Sequence, residues 1–222
     1  MITARPNRGR TVPTRDAEER YGHPERSVVG VDEVGLAPLA GPVVACAILM
    51  PSGAMIPGVR DSKQLSPARR QVLNSAIRAN AIAVGIGAAS VREVERLNPR
   101  AASHLAMQRA VAQLRRRGAQ PDICLVDGGP ARELAALIGN HETIVKGDTS
   151  VYAIACASIV AKVLRDQLMV RLASRYPAYG WSSNVGYPSP AHLRALETVG
   201  LTAHHRRTYA PVAAVLNRGG RE

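Results

Sequence analysis

The chain has 222 residues, 46% hydrophobic and 21% charged, so it carries enough apolar surface for one folded domain and is not a disordered polyelectrolyte. Its 19 glycines and 15 prolines follow no period, which excludes collagen-like and low-complexity classes. Lys and Arg number 29 against 17 acids, and the net charge of +12 favours a polyanionic partner, nucleic acid foremost, over an inert Arg-rich surface.

Residues 1–25 hold Arg5, Arg8, Arg10, Arg15 and Arg20 without hydrophobic periodicity and read as a mobile basic leader. A single domain is expected over 26–216, with a tail at 217–222. Residues 27–31 and 42–49 are short buried-strand runs joined by a Gly/Pro-rich turn. Ser66 followed by Pro67 predicts an N-capped helix to about Ala79. Residues 81–88 give a third strand, 99–117 a long helix, and 122–127 a fourth strand that stops at Gly128-Gly129. After a short helix and a strand near 142–145, residues 147–150 cap the most apolar helix, 151 to about 174. Early strands followed by alternating helices and strands predict an α/β fold with a mixed sheet. With no Phe, its core falls to Ala, Val, Ile and Leu, small enough for close helix-on-sheet packing.

Cys46, Cys124 and Cys156 sit far apart in apolar runs without metal-ligand spacing, which reads as buried free thiols in a reducing compartment. No apolar run reaches the length of a membrane span, and no apolar segment follows the basic start, so no secretory signal is expected and the cytoplasm is the expected location.

With only 17 acids, their placement is informative. Asp16, Glu18, Glu19, Glu93 and Glu95 stand in polar surroundings and read as solvated. Four others do not: Asp32 and Glu33 continue the first strand, Asp127 ends the fourth, and Asp148 precedes the apolar helix. A lone buried carboxylate is costly and needs a partner or a cation. Carboxylates converging from several strand ends suit oxygen-ligated Mg²⁺ or Mn²⁺, and two such ions can bracket a scissile phosphate. Taken singly, each acid also reads as a capped turn or an ion pair, and Asp148 as an N-cap whether or not it holds metal. There is no phosphate-binding P-loop, nucleophile elbow or zinc pattern. His204-His205-Arg206-Arg207 reads as a phosphate-contacting or packing cluster.

The segments Val29-Gly30-Val31-Asp32-Glu33-Val34-Gly35, Asp61-Ser62-Lys63-Gln64-Leu65-Ser66, Leu125-Val126-Asp127-Gly128, Val145-Lys146-Gly147-Asp148, Ala157-Ser158-Ile159-Val160-Ala161-Lys162-Val163, Tyr179-Gly180-Trp181 and Gly186-Tyr187-Pro188 occur in the order found in type 2 ribonuclease H. The chain resembles that family, ribonuclease HII, over about residues 27–212. The resemblance implies a ribonuclease H-like fold, a mixed central sheet flanked by helices with a helical C-terminal part. It implies an endoribonuclease that acts on RNA/DNA hybrids or on DNA duplexes with embedded ribonucleotides; a monomer without membrane contact is expected. Cleavage 5′ of a ribonucleotide would leave 3′-OH and 5′-phosphate ends. Asp32, Glu33, Asp127 and Asp148 fall on the family's metal-site carboxylates, for two Mg²⁺ or Mn²⁺ ions. Asp166 becomes a supporting residue, paired with Lys162 at i, i+4. Gly35, Leu36, Ala37, Lys63, Lys146, Tyr187, Arg206 and Arg207 become substrate contacts.

Two departures bear on recognition. Gly35-Leu36-Ala37 replaces the usual Gly-Arg-Gly, and Asn184-Val185-Gly186-Tyr187 replaces the usual His-Lys-Gly-Tyr. Each loses a cation that would meet phosphate, and the first lies where the family reads the ribose 2′-OH. The alternatives are a hybrid-tract ribonuclease without junction activity and a hybrid-binding protein that does not cut.

Overall fold

The computed structural model of the protein describes residues 12–219. In chain order the elements are α1 (Asp16–Arg20), β1 (Val28–Val34), β2 (Val43–Leu49), α2 (Pro67–Asn80), β3 (Ala83–Ala89), α3 (Val91–Leu97) and α4 (Pro99–Arg116). They continue with β4 (Ile123–Asp127), α5 (Ala135–Ile138), β5 (His141–Ile144), α6 (Gly147–Ser150), α7 (Tyr152–Arg175), α8 (Trp181–Asn184), α9 (Pro190–Thr198) and α10 (Ala210–Gly219). The five strands form one mixed sheet in the order β3-β2-β1-β4-β5. The β1–β2 and β2–β3 pairs are antiparallel, and β1–β4 and β4–β5 are parallel.

The sheet is covered on both faces, which is why its strands are apolar runs rather than alternating ones. Val29, Val31, Ala45, Ala47 and Val126 pack under α4 with Ala106, Met107 and Ala110. Cys46, Ile48 and Val84 pack under α7 with Cys156, Ile159 and Val160. The core is not wholly aliphatic, since Tyr152, Tyr179 and Trp181 are buried in it, but α7 approaches the sheet closely: a Cβ at Gly30 would stand 2.3 Å from the backbone of Ala153, so only glycine fits there. Cys46, Cys124 and Cys156 are buried and free, as their surroundings predict.

Three expectations are corrected. First, β1 runs on to Val34, so Asp32 and Glu33 lie inside the strand. Antiparallel pairing with β2 (Asp32 to Cys46, Glu33 to Ala45) keeps the backbone extended past the last β4 pair, Val31 to Val126. Second, the leader is not free over its described part, and residues 1–11 lie outside the described residues. Thr14 N–H donates to the Ser150 carbonyl at 3.0 Å, and the Thr14 carbonyl accepts from Tyr152 N–H at 2.9 Å. Glu18, expected to be solvated, is 2% exposed and its Oε1 accepts from Ala153 N–H at 2.8 Å. It thereby satisfies a free donor at the N-terminus of α7, where Val151 provides no side-chain cap. Third, α3 was not foreseen although Ser90 and Glu93 form a capping box, and Glu93 is held by Arg109 at 2.7 Å rather than solvated. The expected tail begins inside α10, and residues 220–222 lie outside the described residues.

Candidate active site

Side chains alternate along a strand, and the two acids of β1 therefore leave opposite faces of the sheet. Asp32 follows Val28 and Gly30 toward α7, where Ser158 lies. Glu33 follows Val29 and Val31 toward α4 and helps line a groove with Pro99, Arg100 and Ser103. Asp127 ends β4, one residue beyond its last pairing with β1. Its Oδ1 accepts from Gly147 N–H at 2.7 Å, so the start of α6 is held against the end of β4. That junction sets Asp148, which is buried at 5% exposure. Asp148 does not cap α7: residues 147–150 form a separate turn, and Val151 bridges to Thr14 before the long helix begins. Asp148 Oδ2 instead accepts from Lys63 Nζ at 3.1 Å.

The resulting cleft has a volume of about 470 Å³ and is lined by Asp32, Glu33, Asp127, the Gly35–Ala37 loop, Ser62, Lys63, Ser158, Lys162 and Tyr187. Its electrostatics are unbalanced. Burial raises Asp32 well above the ordinary carboxylate range, and the charges of Glu33 and Asp127 raise it further while the Ser158 hydroxyl opposes them. Burial, then the Asp127 charge, pushes Glu33 up to about 7. Asp127 is also raised, by burial and by Asp148. The four carboxylates offer only oxygen donors, the chemistry that a hard divalent cation takes, and of the four Lys63 answers Asp148 alone, at 3.1 Å. Among the described residues the acids do not converge into a group of three that forms a ready-made cage.

The structure brings Gly35, Leu36, Ala37, Lys63 and Tyr187 into the cleft with three of the four acids. Lys146 is exposed beside Asp148 in the left-handed conformation (φ 57°, ψ 38°). Arg207 is exposed, its backbone N–H bonded to Glu95. Arg206 is a correction. It is 0% exposed, and its guanidinium donates to the carbonyls of Gly35 (2.6 Å), Leu36 (2.8 Å) and Gly41 (2.8 Å), so it has no free N–H fork for a phosphate. His205, beside it, resolves as packing together with His192. His192 Nδ1–H donates to the Tyr187 carbonyl at 2.9 Å, because a carbonyl can only accept. His192 Nε2 is then the acceptor for Trp181 Nε1–H at 3.2 Å and His205 Nε2–H at 3.0 Å, and His205 Nδ1 accepts from Thr202 N–H. Burial and the neighbouring His192 lower His205 to about 4, keeping it neutral as this chain of bonds requires.

Lys162 and Arg165 are the residues whose surroundings sequence reasoning missed. Lys162 Nζ bonds Asp166 at 2.7 Å, as expected, but also faces the cleft 5.9 Å from the Tyr187 ring. Its i, i+4 spacing from Ser158 on an apolar helix is the signal that could have placed it there. Ala37 has no positive φ, so replacing the usual glycine costs the free loop no strain. The Leu36 side chain rests against the core under α4.

The fold and these acids define a class: an α/β scaffold that carries four acids about the ends of its central parallel strands. The ribonuclease HII family model matches residues 29–212. The chain is 47% identical over 191 residues to the ribonuclease HII of Roseobacter denitrificans, covering 86% of this chain and 93% of that one. It is 48% identical over 191 residues to the ribonuclease HII of Paracoccus denitrificans, covering 86% and 88%. Ribonuclease H2 from Pyrococcus horikoshii superposes with a TM-score of 0.76 at 25% identity, over 88% of this chain and 99% of that one. A ribonuclease HIII solved in complex with Mn²⁺ (Bst-RNase HIII) shares the fold at a TM-score of 0.68 and 19% identity, over 91% and 73%. The chain belongs to the ribonuclease HII family.

Proposed function

We propose that this ribonuclease hydrolyses the RNA strand of RNA/DNA hybrids and of DNA duplexes with embedded ribonucleotides, 5′ of a ribonucleotide, leaving 3′-OH and 5′-phosphate ends. Asp32, Glu33, Asp127 and Asp148 hold Mg²⁺ or Mn²⁺, and the single observation that carries this reading is that Asp32 and Asp148 are buried and Glu33 and Asp127 half-buried, with Lys63 on Asp148 as counter-charge. When bound, such cations supply the charge that activates water and stabilises the leaving oxygen. The chain itself supplies the rest. Ser158 and the Gly147 N–H orient Asp32 and Asp127. Lys63 holds Asp148 from the cleft rim, and Tyr187 and the Gly35–Ala37 loop form the wall a ribose would meet. The retained acids argue against a protein that binds hybrids without cutting, since clustered carboxylates repel both one another and a polyanion.

The test is cleavage with Mg²⁺ or Mn²⁺ of duplexes holding one ribonucleotide or four. Cleavage of both supports the reading, cleavage of the longer tract alone favours the hybrid-tract alternative, and binding without cleavage overturns it. Leu36 replaces a charged planar side chain that would meet phosphate, so the single-ribonucleotide duplex is cut more weakly than the tract. Leu36→Arg with Ala37→Gly raises cleavage of the single-ribonucleotide duplex more than that of the tract. Equal effects on both would show that another segment positions the junction.

A further inference from the structure

Two buried guanidinium groups join the walls of the cleft. Arg165, from α7, donates through Nε to the Pro42 carbonyl (3.1 Å), through Nη2 to Ala40 (3.0 Å) and through Nη1 to Val185 (2.9 Å). Arg206 donates to the carbonyls of Gly35, Leu36 and Gly41, and to the Tyr209 hydroxyl at 2.9 Å. Both residues are 0% exposed, and among the described residues neither is hydrogen-bonded to a carboxylate. The two segments they grip also meet directly, Leu39 N–H donating to the Gly186 carbonyl at 2.8 Å, while Gly41 N–H donates to His204 at 2.9 Å. A side chain at Gly35 would stand 2.3 Å from Arg165 Nε, so the guanidinium and the loop are fitted to each other.

The segment on the far side is strained. Val185, a β-branched residue, sits in the left-handed region at φ 43°, ψ 34°, immediately before Gly186 and Tyr187. Such a conformation persists only where its surroundings over-determine it, and the Arg165 bond to the Val185 carbonyl is one of the constraints that does so. Burying two like charges is a costly way merely to fill space. What arginine offers here is a planar fork that reads several carbonyls in fixed directions, independent of the side chains those carbonyls belong to.

Resting on the nuclease function above, we propose that Arg165 and Arg206 are positioning residues that fix the distance between the Gly35–Ala37 loop and Tyr187, and so set recognition of a lone ribonucleotide. Because the clasp grips backbone, it keeps the loop in place although Leu36 and Ala37 replace the usual side chains. A longer RNA tract presents a 2′-OH in every register, so a displaced loop still finds one. A single embedded ribonucleotide presents only one, and a displaced loop misses it.

The experiment compares the full-length wild type with Arg165→Lys and Arg206→Lys on duplexes holding one or four ribonucleotides. Lysine keeps the charge and loses the fork. KM for the single-ribonucleotide duplex is expected to rise by roughly tenfold, KM for the tract by no more than about threefold, and kcat on either to move by less than about threefold. Amide exchange at Leu39 and Gly41 is expected to accelerate by roughly tenfold. Should a lysine variant fail to fold, Arg206→Gln removes the buried charge, keeps two N–H donors and gives the same reading. Proportional losses on both duplexes, or no change in the ratio, overturn the clasp while leaving the nuclease function standing. A wild type that cuts neither duplex overturns that function and the clasp's role in it together.

Discussion

The carboxylate end of β1 and β4 and the cluster around Arg165, His192, His205 and Arg206 are both charged and both buried, yet they are opposite in kind. At the first, burial raises Asp32, Glu33 and Asp127, and the charges of neighbouring acids raise them further. At the second, each buried cation or imidazole ends on a carbonyl, a hydroxyl or another ring nitrogen. Buried polar groups with complete partners rigidify, and those left incomplete are poised for a ligand. The contrast separates the part of the molecule that does chemistry from the part that holds it in place.

The largest effect that could break this contrast is on turnover. Asp127→Asn, nearly isosteric but uncharged, is expected to lower kcat by roughly a thousandfold while leaving hybrid affinity the same or better. The same change raises the melting temperature of the cation-free protein, because it relieves repulsion. Asp32→Asn follows it. Turnover within roughly tenfold of wild type at saturating cation would remove these acids from the site. Arg206→Ala is expected to move stability the other way. It strips donors from Gly35, Leu36 and Gly41 and costs about 3–5 kcal/mol in urea unfolding. A loss below about 1 kcal/mol would mean the loop holds itself.

The two regions also carry opposite pH signs. A carboxyl raised in the folded state contributes stability below its unfolded value and loses it as pH rises through the folded one. For Glu33 that window runs from 4.5 to about 7. A histidine lowered in the folded state contributes stability above its unfolded value and loses it as pH falls, for His205 from 6.5 to about 4. Chemical denaturation of the cation-free protein should therefore show losses on both sides of a maximum. Asp32→Asn should flatten the alkaline limb only. A midpoint shift on adding Mg²⁺ that is larger at pH 8 than at pH 5 sharpens the assignment, and a shift equal at both breaks it.

The smallest expected effect concerns Arg207, the exposed neighbour of Arg206. Arg207→Ala should reduce the slope of log affinity against log salt by about one, the amount of one phosphate contact. An unchanged slope would assign its role to the backbone bond with Glu95.

Most elements were legible from apolar runs bounded by caps and prolines, as with Ser66-Pro67 before α2. The acids were legible for a related reason: Asp32, Glu33 and Asp127 interrupt strands that local composition alone marks as buried. What residues 14–25 do was not legible, since the acids of α1 and the basic residues around them give the pattern of a solvated segment. Only the fold shows Glu18 reaching Ala153, 135 residues away.

By itself, then, the sequence determined the strand-and-helix order, the apolar core and the four acids that cannot be buried without a purpose, because periodicity and burial cost are local properties. Tertiary structure alone decided which buried charges are satisfied. The carbonyls that hold Arg206 lie 165 to 171 residues before it, and those holding Arg165 are as far as 125 residues away. A guanidinium written beside a histidine pair looks the same in sequence whether it meets phosphate or backbone. The partner that decides between them is supplied by chain segments that only folding brings near.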